Sequence, residues 1–206
     1  MKKLSIILLL VGVGIVAYLL SQKSQNPGES IKPTPQLASD GEFIEDPPNL
    51  DELKAGGSSY LDPQGIYNFL YPNDFILDTS DSQHIRIYKR GETPRPQSEI
   101  SDGILMVFEV IPLSKTTFES WVDGRIKMDT SDGTNQVLEP KRSVVQNSYS
   151  GFYYSLRGFG VSQNLVLQKD KNSDNALLIS YFIDDPHNKG YKRQFEEIIS
   201  SLTLLK

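Results

Sequence analysis

Asp184, Asp185 and His187 place two carboxylates and an imidazole within four residues, a set of ligands that a divalent cation could use. The same Asp-Asp-Pro-His run leads into a helical pattern. It therefore also reads as a turn and cap, with acidic charge at the positive end of a helix. Asp170, Asn172 and Asp174 match the first three ligand positions of a calcium-binding loop. However, Asn175 stands where that loop needs glycine, and Tyr181 where it needs a bidentate glutamate. The stretch 170–175 (DKNSDN) is read instead as an Asx-rich hairpin turn between two apolar runs.

Nucleophilic chemistry finds little to work with. The chain has no cysteine, which removes a thiol nucleophile, a disulfide framework and a cysteine metal site. No G-x-S-x-G elbow occurs, and His84 and His187 are the only candidate imidazole bases. Gly158-Phe159-Gly160 is a lone G-x-G and reads as a strand-end turn. A pair of carboxylates for glycoside chemistry would meet only in three dimensions. The expectation is a protein without catalytic residues or cofactor, in which Asp184, Asp185 and His187 are the candidate metal ligands. His84 is expected to face solvent beside a strand. Phe118 and Trp121 read as the core face of a helix. Tyr149, Phe152, Tyr153 and Tyr154 form a candidate contact surface, because adjacent Tyr153 and Tyr154 point to opposite faces of a strand.

The elements that position these residues follow an N-terminal preamble. The uncharged run from Leu4 to Leu20 (LSIILLLVGVGIVAYLL) would span about 26 Å as a helix, the short end of what crosses a ~30 Å hydrocarbon core. It reads as an uncleaved transmembrane anchor, residues 1–20. A cleaved signal peptide is the alternative, for which the run is long and lacks a convincing small-x-small site. Lys2 and Lys3 precede the run and only Lys23 follows closely, so the N-terminus is expected in the cytoplasm and the rest outside it: a single-pass protein of a bacterial-type cell membrane.

Residues 21–58 carry three Lys against seven Asp and Glu, with five of the twelve prolines. Such a composition buries too little apolar surface to offset the entropy of ordering, so it reads as a disordered tether with an end-to-end distance of roughly 35 Å. The net charge of −5, with no basic stripe, gives no footprint for nucleic acid. Within the tether, 49–55 (NLDELKA) could form one capped helical turn, but short isolated helices are marginal and it is read as disordered.

Residues 59–206 form the folded domain. Strand patterns occupy 66–71, 75–77, 85–89, 104–111, 137–145, 152–158, 164–168 and 176–184. The run 104–111 (ILMVFEVI) is nearly all apolar, as a strand covered on both faces would be. Thr116 and Glu119 form a T-x-x-E capping box before Phe118, Trp121, Val122 and Ile126. A second helix is expected over about 188–202, with Tyr191, Phe195, Ile198, Ile199 and Leu202 on one face and Lys192–Glu196 and Arg193–Glu197 pairs on the other. A short strand over 203–205 would close the sheet edge. Strands outnumber helices and the connections are short, which predicts an α+β domain built on an antiparallel sheet.

The run Gly65-Ile66-Tyr67-Asn68-Phe69-Leu70-Tyr71-Pro72-Asn73-Asp74-Phe75 resembles the opening motif of PsbP-like domains, with Phe75 where a tryptophan is usual. The order of elements continues the resemblance through 59–206, to the final helix and Ser200-Ser201-Leu202-Thr203-Leu204. The resemblance implies a six- or seven-stranded antiparallel sheet flanked by helices on both faces, an α/β/α sandwich. It implies binding or scaffolding rather than catalysis, since that fold includes an extrinsic subunit of the oxygen-evolving complex and a Ran-binding import factor. No site residue is carried over from it. The function expected is a membrane-tethered extracytoplasmic binding or assembly module that contacts another envelope protein. The alternatives are a small-ligand or divalent-cation binder using the region 184–187, or a hydrolase whose site the sequence hides.

Overall fold

The computed structural model describes residues 50–91, 102–113, 116–158 and 160–206, all within the compact unit Asp40–Lys206. The expected anchor and the tether as far as residue 49 lie outside the described residues. Among the described residues, no helix is long and apolar enough to cross a membrane.

Regular structure begins inside the stretch assigned to the tether. Helix α1 (Leu50–Gly56) runs directly into strand β1 (Gly57–Leu61). Residues 50–58 are ordered because Leu53 is buried and because β1 pairs antiparallel with β2 (Tyr67–Pro72), tertiary contacts that composition does not reveal. Between β1 and β2 the chain turns on Asp62, whose Oδ2 accepts from the backbone N–H groups of Gln64 and Ile66. Gly65 sits there at φ +64°, a left-handed conformation that favours glycine.

The remaining elements are β3 (Ile76–Asp78), β4 (His84–Arg90), β5 (Gly103–Pro112), α2 (Phe118–Asp129), β6 (Gln136–Gln146), β7 (Tyr149–Arg157), β8 (Val161–Gln168), β9 (Asn175–Asp184), α3 (Tyr191–Ser201) and β10 (Thr203–Leu204). Seven of the strands form one antiparallel sheet in the order β3-β4-β5-β9-β8-β7-β6. The last strand does not close that sheet. β10 pairs with β2, giving a separate three-stranded sheet β1-β2-β10. The sheet of seven is the one the resemblance implied, but the Tyr-Pro motif strand β2 lies outside it.

Helices flank both faces of the seven-stranded sheet, and the alternation of strand residues decides what each face meets. On the first face Ile85, Phe108, Ile179, Leu165 and Tyr153 stand in one cross-strand row. They share a core with Tyr67 and Phe69 of β2 and with Tyr191, Phe195, Ile198 and Ile199 of α3. The ring of Phe69 stacks on Phe108 at 4.6 Å, and that of Phe195 on Tyr181 at 4.0 Å. On the opposite face α2 places Val122, Phe118, Trp121 and Ile126 against Tyr154, Leu156, Val166 and Leu178.

The expected capping box shifts by one residue. Thr117, not Thr116, is the N-cap of α2, and its hydroxyl accepts from Ser120 N at 3.2 Å. Starting at Phe118 puts Ser120 at the third helical position, so Glu119 turns outward to Lys141 at 3.0 Å. Both helical ion pairs expected in α3 form, Lys192–Glu196 at 3.8 Å and Arg193–Glu197 at 2.9 Å.

Candidate functional site

At the end of β9, Asp185 of the three candidate metal ligands caps a helix. Asp185 Oδ1 accepts from Lys189 N at 2.6 Å, and Oδ2 accepts from Gly190 N at 2.9 Å and Tyr191 N at 3.2 Å. Its carboxylate is thus the cap of α3, since Gly190, the N-cap residue, offers no side chain. Asp184 closes β9 opposite Gly103 of β5, and His187 lies exposed in the turn. Among the described residues, no three His, Cys, Asp or Glu side chains gather closely enough to hold a metal ion.

The other candidate residues also fall into structural roles. Asp170 Oδ1 accepts from Asn172 N at 2.8 Å, and Asp170 N donates to Ser173 Oγ, the Asx-turned hairpin expected between β8 and β9. Gly158 N donates to Gly160 O across the β7–β8 connection, while Phe159 lies outside the described residues. His84 opens β4, its Nδ1 2.8 Å from Asp81 Oδ2 and its Nε2 3.9 Å from Glu109. Tyr153 and Tyr154 do point to opposite faces, but both are buried, so neither offers the contact surface expected of them. Sequence reasoning passed over Asn147 altogether. It occupies the two-residue turn between β6 and β7 at φ +51°, and its Nδ2 donates to the carbonyls of Ile199, Ser200 and Leu202 at the end of α3.

Tyr153 anchors a partly buried polar group. Its hydroxyl and that of Tyr181 both donate to Gln163 Oε1, at 3.2 and 3.0 Å, and Glu139 lies 3.3 Å from the former. Burial and then the Glu139 charge push the Tyr153 phenol up to about 12. Burial raises Tyr181 well above its usual range too. The unfolded chain releases such protons near pH 10. Folded Tyr153 keeps its proton to about 12, so the stability it contributes is complete below pH 10 and is lost as pH rises toward 12. Urea midpoints measured between those pH values should therefore fall, and the fall should be shallower in Tyr153→Phe. A midpoint constant across that window would contradict this arrangement.

A cleft of about 500 Å³ opens between α1, the end of β2 and α3, with Glu52, Asp74, Lys189, Arg193 and Glu197 in its wall. Its charges are largely satisfied internally: Arg193 holds Glu197, and Asp74 is held by Lys89 at 2.6 Å.

Among the described residues, the face that carries α2 is only half covered. In register across four strands stand Ile76, Tyr88, Leu105 and Phe182. Val107 lies beside Leu105 on the same face. Tyr88, Leu105, Val107 and Phe182 stay half-buried and belong to neither core, and Ile76 is 53% exposed. Arg86 and Arg90 flank Tyr88 along β4, both exposed, and the Arg90 guanidinium lies 5.5 Å from the Tyr88 ring. At the boundary with α2, Arg125 joins Glu109 at 3.5 Å and Asp129 at 3.0 Å.

The edges of the sheet are guarded by contrast. β3 has three residues, and β6 carries Pro140 and register shifts between Val137 and Arg142. Short strands, proline and bulges all oppose pairing with another chain.

No family model and no curated protein matches the chain. Solved structures do. A protein of Bacteroides thetaiotaomicron VPI-5482 is similar over 73% of this chain at 12% identity, with a TM-score of 0.42; this chain spans only 49% of that protein. The Saccharomyces cerevisiae Ran-binding protein Mog1p is similar over 73% of this chain and 96% of its own, at 11% identity and a TM-score of 0.44. The cyanobacterial PsbP of Synechocystis sp. PCC 6803 is similar over 73% of this chain and 93% of its own, at 19% identity and a TM-score of 0.44. The solved structures similar to this chain thus include Mog1p and a PsbP, the latter of the kind whose opening motif the run Gly65 to Phe75 resembles.

Proposed function

We propose that this protein is a non-catalytic binding or assembly module, and that it contacts another protein through the open half of the sheet face. The row Ile76, Tyr88, Leu105 and Phe182 carries the reading, because a contiguous apolar patch left on a folded domain marks a contact surface. The guarded edges of β3 and β6 direct the contact to the face rather than to strand addition. On this reading the hydrophobic run from Leu4 to Leu20 holds the module at a bacterial-type membrane as a single-pass anchor. The N-terminus stays in the cytoplasm, and the acidic, proline-rich tether lets the domain search for an envelope partner outside it.

Photo-crosslinking tests the contact. A photoreactive phenylalanine analogue replaces Tyr88 in one variant and Lys171, in the exposed β8–β9 turn, in another. A discrete protein adduct is expected from position 88 and none from 171. Adding Phe182→Asp should abolish the adduct while leaving the circular-dichroism melt cooperative. An adduct that survives Phe182→Asp, or no adduct from position 88 in intact cells, would overturn the reading.

A further inference from the structure

We infer that the open half of this face receives one amphipathic helix of a partner, lying along the row Ile76–Tyr88–Leu105–Phe182 with acidic side chains on both flanks to meet Arg86 and Arg90. This rests on the binding-module reading and names the chemistry of the occupant.

Seven strands at about 4.8 Å spacing make a face close to 30 Å wide, while one helix is only about 10–12 Å across. Among the described residues the first face has α3 and the three-stranded sheet to cover it, and the second has α2 alone. The cover of α2 ends within β5 and β9. Ile111, Ala176 and Leu178 pack beneath it, whereas Leu105, Val107 and Phe182 do not. Among the described residues that corner carries no helix, is wide enough for one and has the apolar floor that one requires.

The banks of the row fit the same occupant. Arg86 and Arg90 stand two residues either side of Tyr88, so their Cα atoms are about 13 Å apart along the strand. That is the width of one helix with its side chains. Neither arginine makes an ion pair among the described residues. The acidic neighbours are less available. Asp78, opposite Arg86 on β3, is half-buried, accepts from Ser80 N at 2.9 Å and feels the Arg86 charge without forming a close ion pair with it, and Asp184 is half-buried and has a partner of its own. The exposed charges on the banks are therefore both positive. Arg90 is also held in place by its stack on Tyr88, which lowers the entropy lost when it meets a carboxylate.

The test uses the full chain in detergent micelles and two fluorescein-labelled model helices, followed by anisotropy. One has a leucine face with glutamates on both flanks; its twin carries lysines in their place. The glutamate helix is expected to bind at least about tenfold more tightly than the twin, with the advantage shrinking as salt is added. The preference should vanish in the Arg86→Glu, Arg90→Glu variant, whose unfolding should remain cooperative because both side chains are exposed and neither belongs to a core. Equal binding of the twins, binding of neither, or a preference that survives charge reversal would each overturn the inference. If that happens while the adduct from position 88 persists, the helix fails and the binding module stands. Loss of that adduct removes the module reading itself. Sedimentation that reveals a dimer split by Phe182→Asp would make a second copy of this chain the occupant, and would also overturn the partner helix.

Discussion

Phe108→Ala is expected to remove about 4 kcal/mol of stability from this domain. Phe108 is 1% exposed and sits at the centre of β5. Its ring stacks on Phe69 at 4.6 Å and on Tyr67 at 5.8 Å, so it is one of the contacts by which the seven-stranded sheet carries the three-stranded one. Truncation loses the transfer energy of the ring, leaves a cavity, and breaks two aromatic pairs worth about 0.5–1.5 kcal/mol each. Its neighbour supplies the control. Val107 points to the half-covered face and belongs to neither core, so Val107→Ala should cost no more than about 1 kcal/mol. Urea unfolding measures both, with the midpoint moving and the slope unchanged. Comparable losses at the two positions would mean that the second face is packed as fully as the first, and the open-face account would fail with that result.

That pair of residues also marks where the sequence stopped being readable. The run 104–111 was expected to be covered on both faces, and for Ile104, Met106 and Phe108 the cover is there. Leu105 and Val107 are equally apolar yet half-open. An apolar strand residue looks the same in sequence whether a helix covers it or a partner does, because strand periodicity reports the pleat and not the layer above it. The row Ile76–Tyr88–Leu105–Phe182 was invisible for a related reason. Its members are scattered over more than half the domain and are brought side by side only by strand order and register.

What was legible was local. Tyr191, Phe195, Ile198 and Ile199 announce the inner face of α3 through their spacing, and 170–175 announces a hairpin through its turn residues. The second sheet escaped because β1 has little intrinsic signal and because nothing local says which strand β10 pairs with. β1 reads Gly-Ser-Ser-Tyr-Leu, which looks like tether, and β10 has two residues, so both depend on β2 for their existence. The sequence alone left two readings of Asp184–His187, ligand set or cap, and only the positions of three backbone N–H groups distinguish them.

Those N–H groups give the second large expectation. Asp185→Ala should cost about 2 kcal/mol, at the upper end for a helix cap, because one carboxylate serves Lys189, Gly190 and Tyr191 together and its bonds are charge-assisted. Gly190 sits at φ +80° and cannot substitute, having no side chain. The loss bears directly on the core, since Tyr191 begins the buried face of α3 and is 2% exposed. In a domain of this size the melting temperature should drop by roughly 4–8 °C. Asp185→Asn keeps one acceptor oxygen and should lose about half as much. The same scans run with calcium, manganese or zinc separate a cap from a ligand. A carboxylate spent on three amides has little left for a cation, so the metals should move wild type and Asp185→Ala alike. Stabilisation of wild type by one metal, absent in Asp185→Ala, would replace the cap with a cation site, since a ligand at about a hundred times its dissociation constant adds about 2.7 kcal/mol.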